Sequence, residues 1–105
     1  MNLGFIGTGK ITSSVVIGIC RSKITFTKIL LSPRNRKVAK KLKKQFRKVS
    51  IAKNNQEIVN SCNWIFLAVA PTVGKKIIKN LKFKSGQTIV SFISTMTLPQ
   101  LKKVI

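Results

Sequence analysis

Residues Met1 to Thr12, Met-Asn-Leu-Gly-Phe-Ile-Gly-Thr-Gly-Lys-Ile-Thr, constrain what this chain can fold into more than any other stretch. Leu3, Phe5 and Ile6 form a short apolar run that stops at Gly7 and Gly9, and an amphipathic segment begins near Ile11. The pattern predicts a strand, a tight turn and a helix. In a parallel α/β unit the free N–H groups of the helix, with the positive end of its dipole, face whatever lies over the turn, a geometry suited to a pyrophosphate. Gly7 would permit the sharp turn, and Gly9, lacking Cβ, would let the backbone approach phosphate oxygens. The third position of the G-x-G-x-x-G pattern is Thr12, which predicts looser helix–strand packing or a contact made by its hydroxyl. A G-x-G turn also serves ordinary strand–helix junctions, so the rest of the chain must decide.

Beyond the turn, apolar periodicity alternates between strand and helix. The first strand is expected at Asn2–Ile6 and helix A at Lys10–Arg21, with Ile11, Val15, Val16 and Ile19 on its inner face. Ile29–Leu31 reads as a strand buried on both sides, and helix B, near Asn35–Phe46, carries Val38, Ala39, Leu42 and Phe46 on one stripe with lysines opposite. A third strand at Val49–Ala52 leads to Asn54-Asn-Gln-Glu57, a helix start with Asn54 as cap and Glu57 reaching back. Trp64–Val69, the most hydrophobic run, is expected at the sheet centre. Helix D would present Val73, Ile77, Ile78 and Leu81, Thr88–Ile93 would be the fifth strand, and Thr97-Leu-Pro-Gln100 would open a last helix. Strands separated by helices predict an α/β fold, a doubly wound parallel (Rossmann-like) sheet of order 3-2-1-4-5. Ligand would then lie between Gly7-Thr8-Gly9 and Ala68-Val69-Ala70-Pro71, where the strand order reverses.

In such folds an acid at the end of the second strand takes the ribose hydroxyls of NAD. Ser32 stands there, with Arg34, Arg36 and Lys37 close behind, so the expected coenzyme is NADP, whose ribose carries a 2′-phosphate. Ser32 as helix cap, Pro33 as first helical residue and solvated basic side chains are the plainer reading, and cap and phosphate ligand are compatible roles.

Composition excludes much else. In 105 residues there are 21 Lys and Arg against one acid, Glu57, and no histidine, for a net charge of +20. A Ser-His-Asp triad, a carboxylate pair and a His/Asp metal site therefore cannot be built. Cys20 and Cys62 lack metal or redox spacing and are expected as buried free thiols, with no metal bound. A charge this large attracts polyanions, but lysines occur on nearly every predicted helix, which argues against nucleic acid. No apolar run reaches membrane-spanning length. Ile11–Cys20 has the hydrophobicity of a signal-peptide core but lacks basic residues in the nine that open the chain and a small-x-small cleavage site after it, so a cytoplasmic protein with no membrane partner is expected.

With those residues placed, the chain resembles the N-terminal domain of pyrroline-5-carboxylate reductases. The resemblance is carried by Gly4-Phe-Ile-Gly-Thr-Gly9, Ser32-Pro-Arg-Asn35, Asn55-Gln-Glu-Ile-Val59, Phe66-Leu-Ala-Val-Ala-Pro71 and Thr88-Ile-Val-Ser-Phe-Ile93. It implies that Gly7, Thr8, Gly9, Lys10, Ile11 and Thr12 hold the pyrophosphate. Ser32, Arg34 and Asn35 would take the ribose and its 2′-phosphate, Asn55 the adenosine side, and Ala68, Val69, Ala70 and Pro71 the nicotinamide side. Members of this family reduce 1-pyrroline-5-carboxylate, a cyclic imine, to proline, and a second, helical domain dimerises and completes their substrate pocket. The 105 residues are accordingly expected to be a cofactor module or fragment of a homo-oligomeric parent, without catalytic residues of its own and binding dinucleotide better than it turns over substrate. A basic nucleic-acid-binding module and an inactive truncated pseudoenzyme are the alternatives.

Overall fold

The computed structural model describes residues 1–7, 9–33, 36–69 and 76–91. Five strands, β1 (Asn2–Ile6), β2 (Lys28–Leu31), β3 (Val49–Ile51), β4 (Trp64–Leu67) and β5 (Thr88–Ser91), alternate with helices α1 (Lys10–Arg21), α2 (Arg36–Gln45) and α3 (Asn55–Ser61) and a helical stretch at 76–79. The strands form one parallel sheet of order β3-β2-β1-β4-β5, as expected. Among these five, β1 and not β4 is the middle strand. The hydrophobicity of β4 reflects cover on both faces, which a strand beside the centre shares.

Side chains alternate across β1, and the two faces build two cores. Leu3 and Phe5 join Ile29, Leu31 and Phe66 beneath Val16 of α1 and Ala39 and Leu42 of α2. Ile6 joins Leu30, Ile65 and Leu67 beneath Ile58 and Val59 of α3 and Ile78 of the 76–79 turn. Ile77 and Leu81 pack against that second core as expected of the predicted helix D. Val73 and the last helix expected from Thr97 lie outside the described residues. Phe5 and Phe66, partners in the β1–β4 register, stack with ring centroids 4.5 Å apart and so lock the two strands that flank the proposed site.

Gly4 sets the distance between β1 and α3. A Cβ at this position would lie 2.3 Å from Cγ2 of Ile58 and 2.9 Å from Sγ of Cys62, so only glycine allows the helix to sit this close. Cys62 is buried there, and burial pushes its thiol up to about 11 against the opposing pull of Lys28. Burial also raises Cys20, which Lys48 partly offsets; Cys20 is only half-buried, and both thiols are free.

Local chemistry explains most element ends. The Asn54 Oδ1 accepts from the Glu57 amide at 2.9 Å and caps α3. Among the described residues the reciprocal bond, in which the Glu57 carboxylate would accept from the Asn54 amide, is not formed, and Glu57 contributes its charge to the first turn of α3, at the positive end of the dipole. At the far end of α1 the Ile19 carbonyl accepts from both the Ser22 amide at 3.1 Å and the Ser22 hydroxyl at 2.7 Å, which replaces the bond the ended helix cannot supply. Gln87 donates to the carbonyls of Val59 and Cys62, fixing the entry to β5 against the end of α3. Among the described residues no helix is long and apolar enough to cross a membrane.

Candidate functional site

Parallel pairing puts the carboxyl ends of all strands on one edge, and the described candidate residues collect there. Gly7 follows β1, Ser32 follows β2, Asn55 follows β3 by one turn, and Ala68 and Val69 follow β4. Thr8, Arg34, Asn35, Ala70 and Pro71 lie outside the described residues.

The β1–α1 junction is built on Gly7. Its φ of +98° is the left-handed region that favours glycine, and a Cβ would meet the Ala68 carbonyl oxygen at 2.3 Å and Val69 Cγ1 at 2.7 Å. The ends of β1 and β4 are thus in contact, and the Ala68 amide donates to the Ile6 carbonyl at 2.8 Å. This is the place where the strand order reverses. Gly9, the N-cap of α1, has open space where a Cβ would be and is exposed. With no side chain on the cap and no acid in the first turn, the leading N–H groups of α1 face outward under an uncompensated positive dipole.

Thr12 takes the second of the two courses its sequence position allows. It is fully buried, and its hydroxyl donates to the Gly7 carbonyl at 2.7 Å, so the side chain ties the turn to the helix and is not offered to a ligand. Replacing Thr12 with valine, similar in shape but without the donor, is expected to destabilise the domain by about 1–3 kcal/mol. Urea unfolding measures this, and Thr12→Ser should recover most of the loss; equal stability of the valine variant and wild type would show that the bond does not matter. Ile11, expected on the inner face, is exposed, because it lies about 100° around α1 from the fully buried Thr12 and about 140° from Val16, off the stripe that meets the core. Lys10 is exposed beside it.

Ser32 is buried, and its amide donates to the Phe5 carbonyl at 3.0 Å. It forms the floor of the edge, while Arg36 and Lys37, the first residues of α2, stand exposed above it. No carboxylate is present at the end of β2. Asn55 is half-buried, and its buried Oδ1 has no hydrogen-bond partner among the described residues. Such an atom costs free energy unless something donates to it. A sequence signal for it exists: of the tandem Asn54-Asn55 only the first caps α3, which leaves the second without a structural task. Together, a bare glycine at an open helix end, exposed cations after β2 and an orphaned acceptor after β3 fit an extended, polyanionic dinucleotide with sugar hydroxyls. Two cavities at the opposite, amino edge of the sheet, about 240 Å³ beside Cys20 and Phe46 and about 170 Å³ beside Leu3 and Trp64, are not part of this arrangement.

A family model described as NADP oxidoreductase, coenzyme F420-dependent, matches residues 2–95. The chain belongs to that family. Among solved structures it is similar to the 1-pyrroline-5-carboxylate reductase of Streptococcus pyogenes, with a TM-score of 0.81 and 23% identity over 99% of this chain and 38% of that one. The Plasmodium falciparum pyrroline carboxylate reductase, solved with NADP bound, has a TM-score of 0.82 and 21% identity over 100% of this chain and 38% of its own. A diketoreductase acting on dicarbonyl compounds gives 0.76 and 14%, over 99% and 45%. At these identities the likeness establishes the fold, and the chain spans less than half the length of each. No curated protein matches it. The family membership agrees with the strand order and with the Gly7–Gly9 turn at the head of the sheet.

Proposed function

We propose that the domain binds NADP(H) across the carboxyl edge of its sheet and serves as the coenzyme-binding part of a reductase similar to the pyrroline-5-carboxylate reductases. The observation that carries this is the open amino end of α1 over Gly9, held against the end of β4 by the Gly7–Ala68 contact. Backbone N–H groups of the Gly7–Thr12 segment would hold the pyrophosphate, with Lys10 adding charge. Ser32, Arg34, Asn35, Arg36 and Lys37 would surround the ribose and its 2′-phosphate. Asn55 Oδ1 would accept from a hydroxyl of the adenosine half, and Ala68 to Pro71 would lie along the nicotinamide half. Bound NADPH supplies the hydride, and the chain supplies orientation and phosphate electrostatics. On this reading the acceptor is a cyclic imine, 1-pyrroline-5-carboxylate reduced to proline in the cytoplasm. A second, helical domain of a homo-oligomeric parent completes its pocket, and the domain alone binds coenzyme without turning substrate over.

Selection for the 2′-phosphate follows from charge. A carboxylate after β2 would repel that phosphate, whereas exposed guanidinium and ammonium groups pair with it. Titration of the chain with NADPH and NADH, followed by nicotinamide fluorescence, is expected to show NADPH binding at least roughly tenfold tighter, about 1.4 kcal/mol, with the preference retained at moderate salt. Equal weak binding of both, abolished by salt, would mean that no specific seat exists.

A further inference from the structure

The cations of this chain are spread through its sequence, and α2 with the turn after it holds the densest group of them. Arg36, Lys37, Lys40, Lys41, Lys43, Lys44 and Arg47 occupy one helix and the turn after it, and all seven are exposed. At 3.6 residues per turn the six on α2 cover a contiguous arc of about 160° along roughly 12 Å of axis. Among the described residues no side chain of these seven has a hydrogen-bond or ion-pair partner. An ordinary solvated helix face mixes signs and compensates itself through i,i+4 pairs. This one cannot, because the single acid of the chain, Glu57, lies on α3 across the sheet. Like charges three and four residues apart repel, so the bare ridge destabilises its own helix until an external polyanion neutralises it.

We propose that the ridge of α2 is a binding surface for the phosphodiester backbone of nucleic acid, without base readout. The buried side of the helix decides between polyanions. Ala39 and Leu42 lie in the core, and Val38 and Phe46 pack against it, so α2 has no free apolar face to insert into a lipid surface. Phosphate rows flanking a nucleic-acid groove offer what the ridge lacks, a linear array of fixed negative charge met by a rigid helix. No aromatic ring is exposed on α2 to stack on bases, which makes the contact indifferent to sequence. The surface is separate from the coenzyme seat except at Arg36 and Lys37, and it does not rest on the coenzyme reading.

The test uses two variants of equal net charge. One changes Lys40, Lys41, Lys43 and Lys44 to glutamine; the other changes Lys53, Lys76, Lys79 and Lys82, exposed cations outside α2, in the same way. Glutamine and lysine have similar helix propensity, and circular dichroism confirms that both variants fold. Binding to a short mixed-sequence DNA duplex is followed by fluorescence anisotropy at several salt concentrations, with saturating NADPH throughout to keep the coenzyme seat filled. The α2 variant is expected to lose about 3–4 from the slope of log K against log salt and to bind at least roughly tenfold more weakly, whereas the control variant loses about 1 or less. Equal losses would show that net charge alone governs binding and would overturn the proposal. Absence of binding by the wild type would do the same, as would binding to phosphatidylserine vesicles but not to the duplex.

Discussion

Gly7→Ala is expected to cost the domain about 3 kcal/mol or more and to abolish measurable binding of NADPH. Two effects add. An L side chain at a φ of +98° is strained by about 1–3 kcal/mol. The new Cβ would also fall 2.3 Å from the Ala68 carbonyl oxygen, a backbone atom of the neighbouring strand end that has no rotamer to escape into. Relief requires β1 and β4 to part at their carboxyl ends, which breaks the Ala68–Ile6 hydrogen bond and misplaces the start of α1 together with its N–H groups. Gly9→Ala separates folding from binding, because nothing lies within 4 Å of its added methyl group. That variant should lose no more than about 1 kcal/mol, the penalty of alanine at an N-cap, while binding NADPH at least roughly tenfold more weakly if the methyl takes the space proposed for phosphate. Urea unfolding and coenzyme titration read the two effects. Wild-type stability of Gly7→Ala, or wild-type binding by Gly9→Ala, would contradict this account of the turn.

Gly4→Val should destabilise the domain by about 3 kcal/mol without touching the coenzyme edge. Its Cβ would overlap Ile58 and Cys62, and α3 cannot retreat without also loosening Ile65, Leu67 and Ile78 in the same core. Pairing it with Ile58→Ala provides the check. If the clash is the cause, the double variant is more stable than the sum of the single losses by about 1 kcal/mol or more. Strict additivity, or an unaltered urea midpoint for Gly4→Val, would place the reason for this glycine elsewhere.

Much of this arrangement is legible in the residues. The bounds of β1 and α1 are marked by chemistry that acts locally: apolar alternation ending at Gly7, and a helix pattern running from Lys10 to Arg21. The cap at Asn54 is marked in the same way, by an acceptor side chain immediately before the helix. Periodicity gives the direction in which a side chain points but not whether a layer lies beneath it at that height. Trp64 is exposed for this reason, at the amino ends of the strands, whereas Ile11 lies to one side of the stripe that Thr12 and Val16 bury. Gly4 escapes notice because a glycine in a strand signals close approach without naming what approaches, and its neighbours are more than fifty positions away. Of the candidate site, Gly7, Gly9 and Asn55 have a visible rationale in the fold. The Thr12 side chain, by contrast, serves the turn.

The placing of β1 between β2 and β4 bears on how the chain is made. The strand synthesised first cannot complete its pairing until Leu67 has been added, roughly 3–12 s later at about 5–20 residues per second. For that interval an apolar segment has at least one open flank. No acid lies between Met1 and Gln56, so this stretch is wholly cationic, and two copies that come within about a Debye length of each other repel while their strands are unprotected.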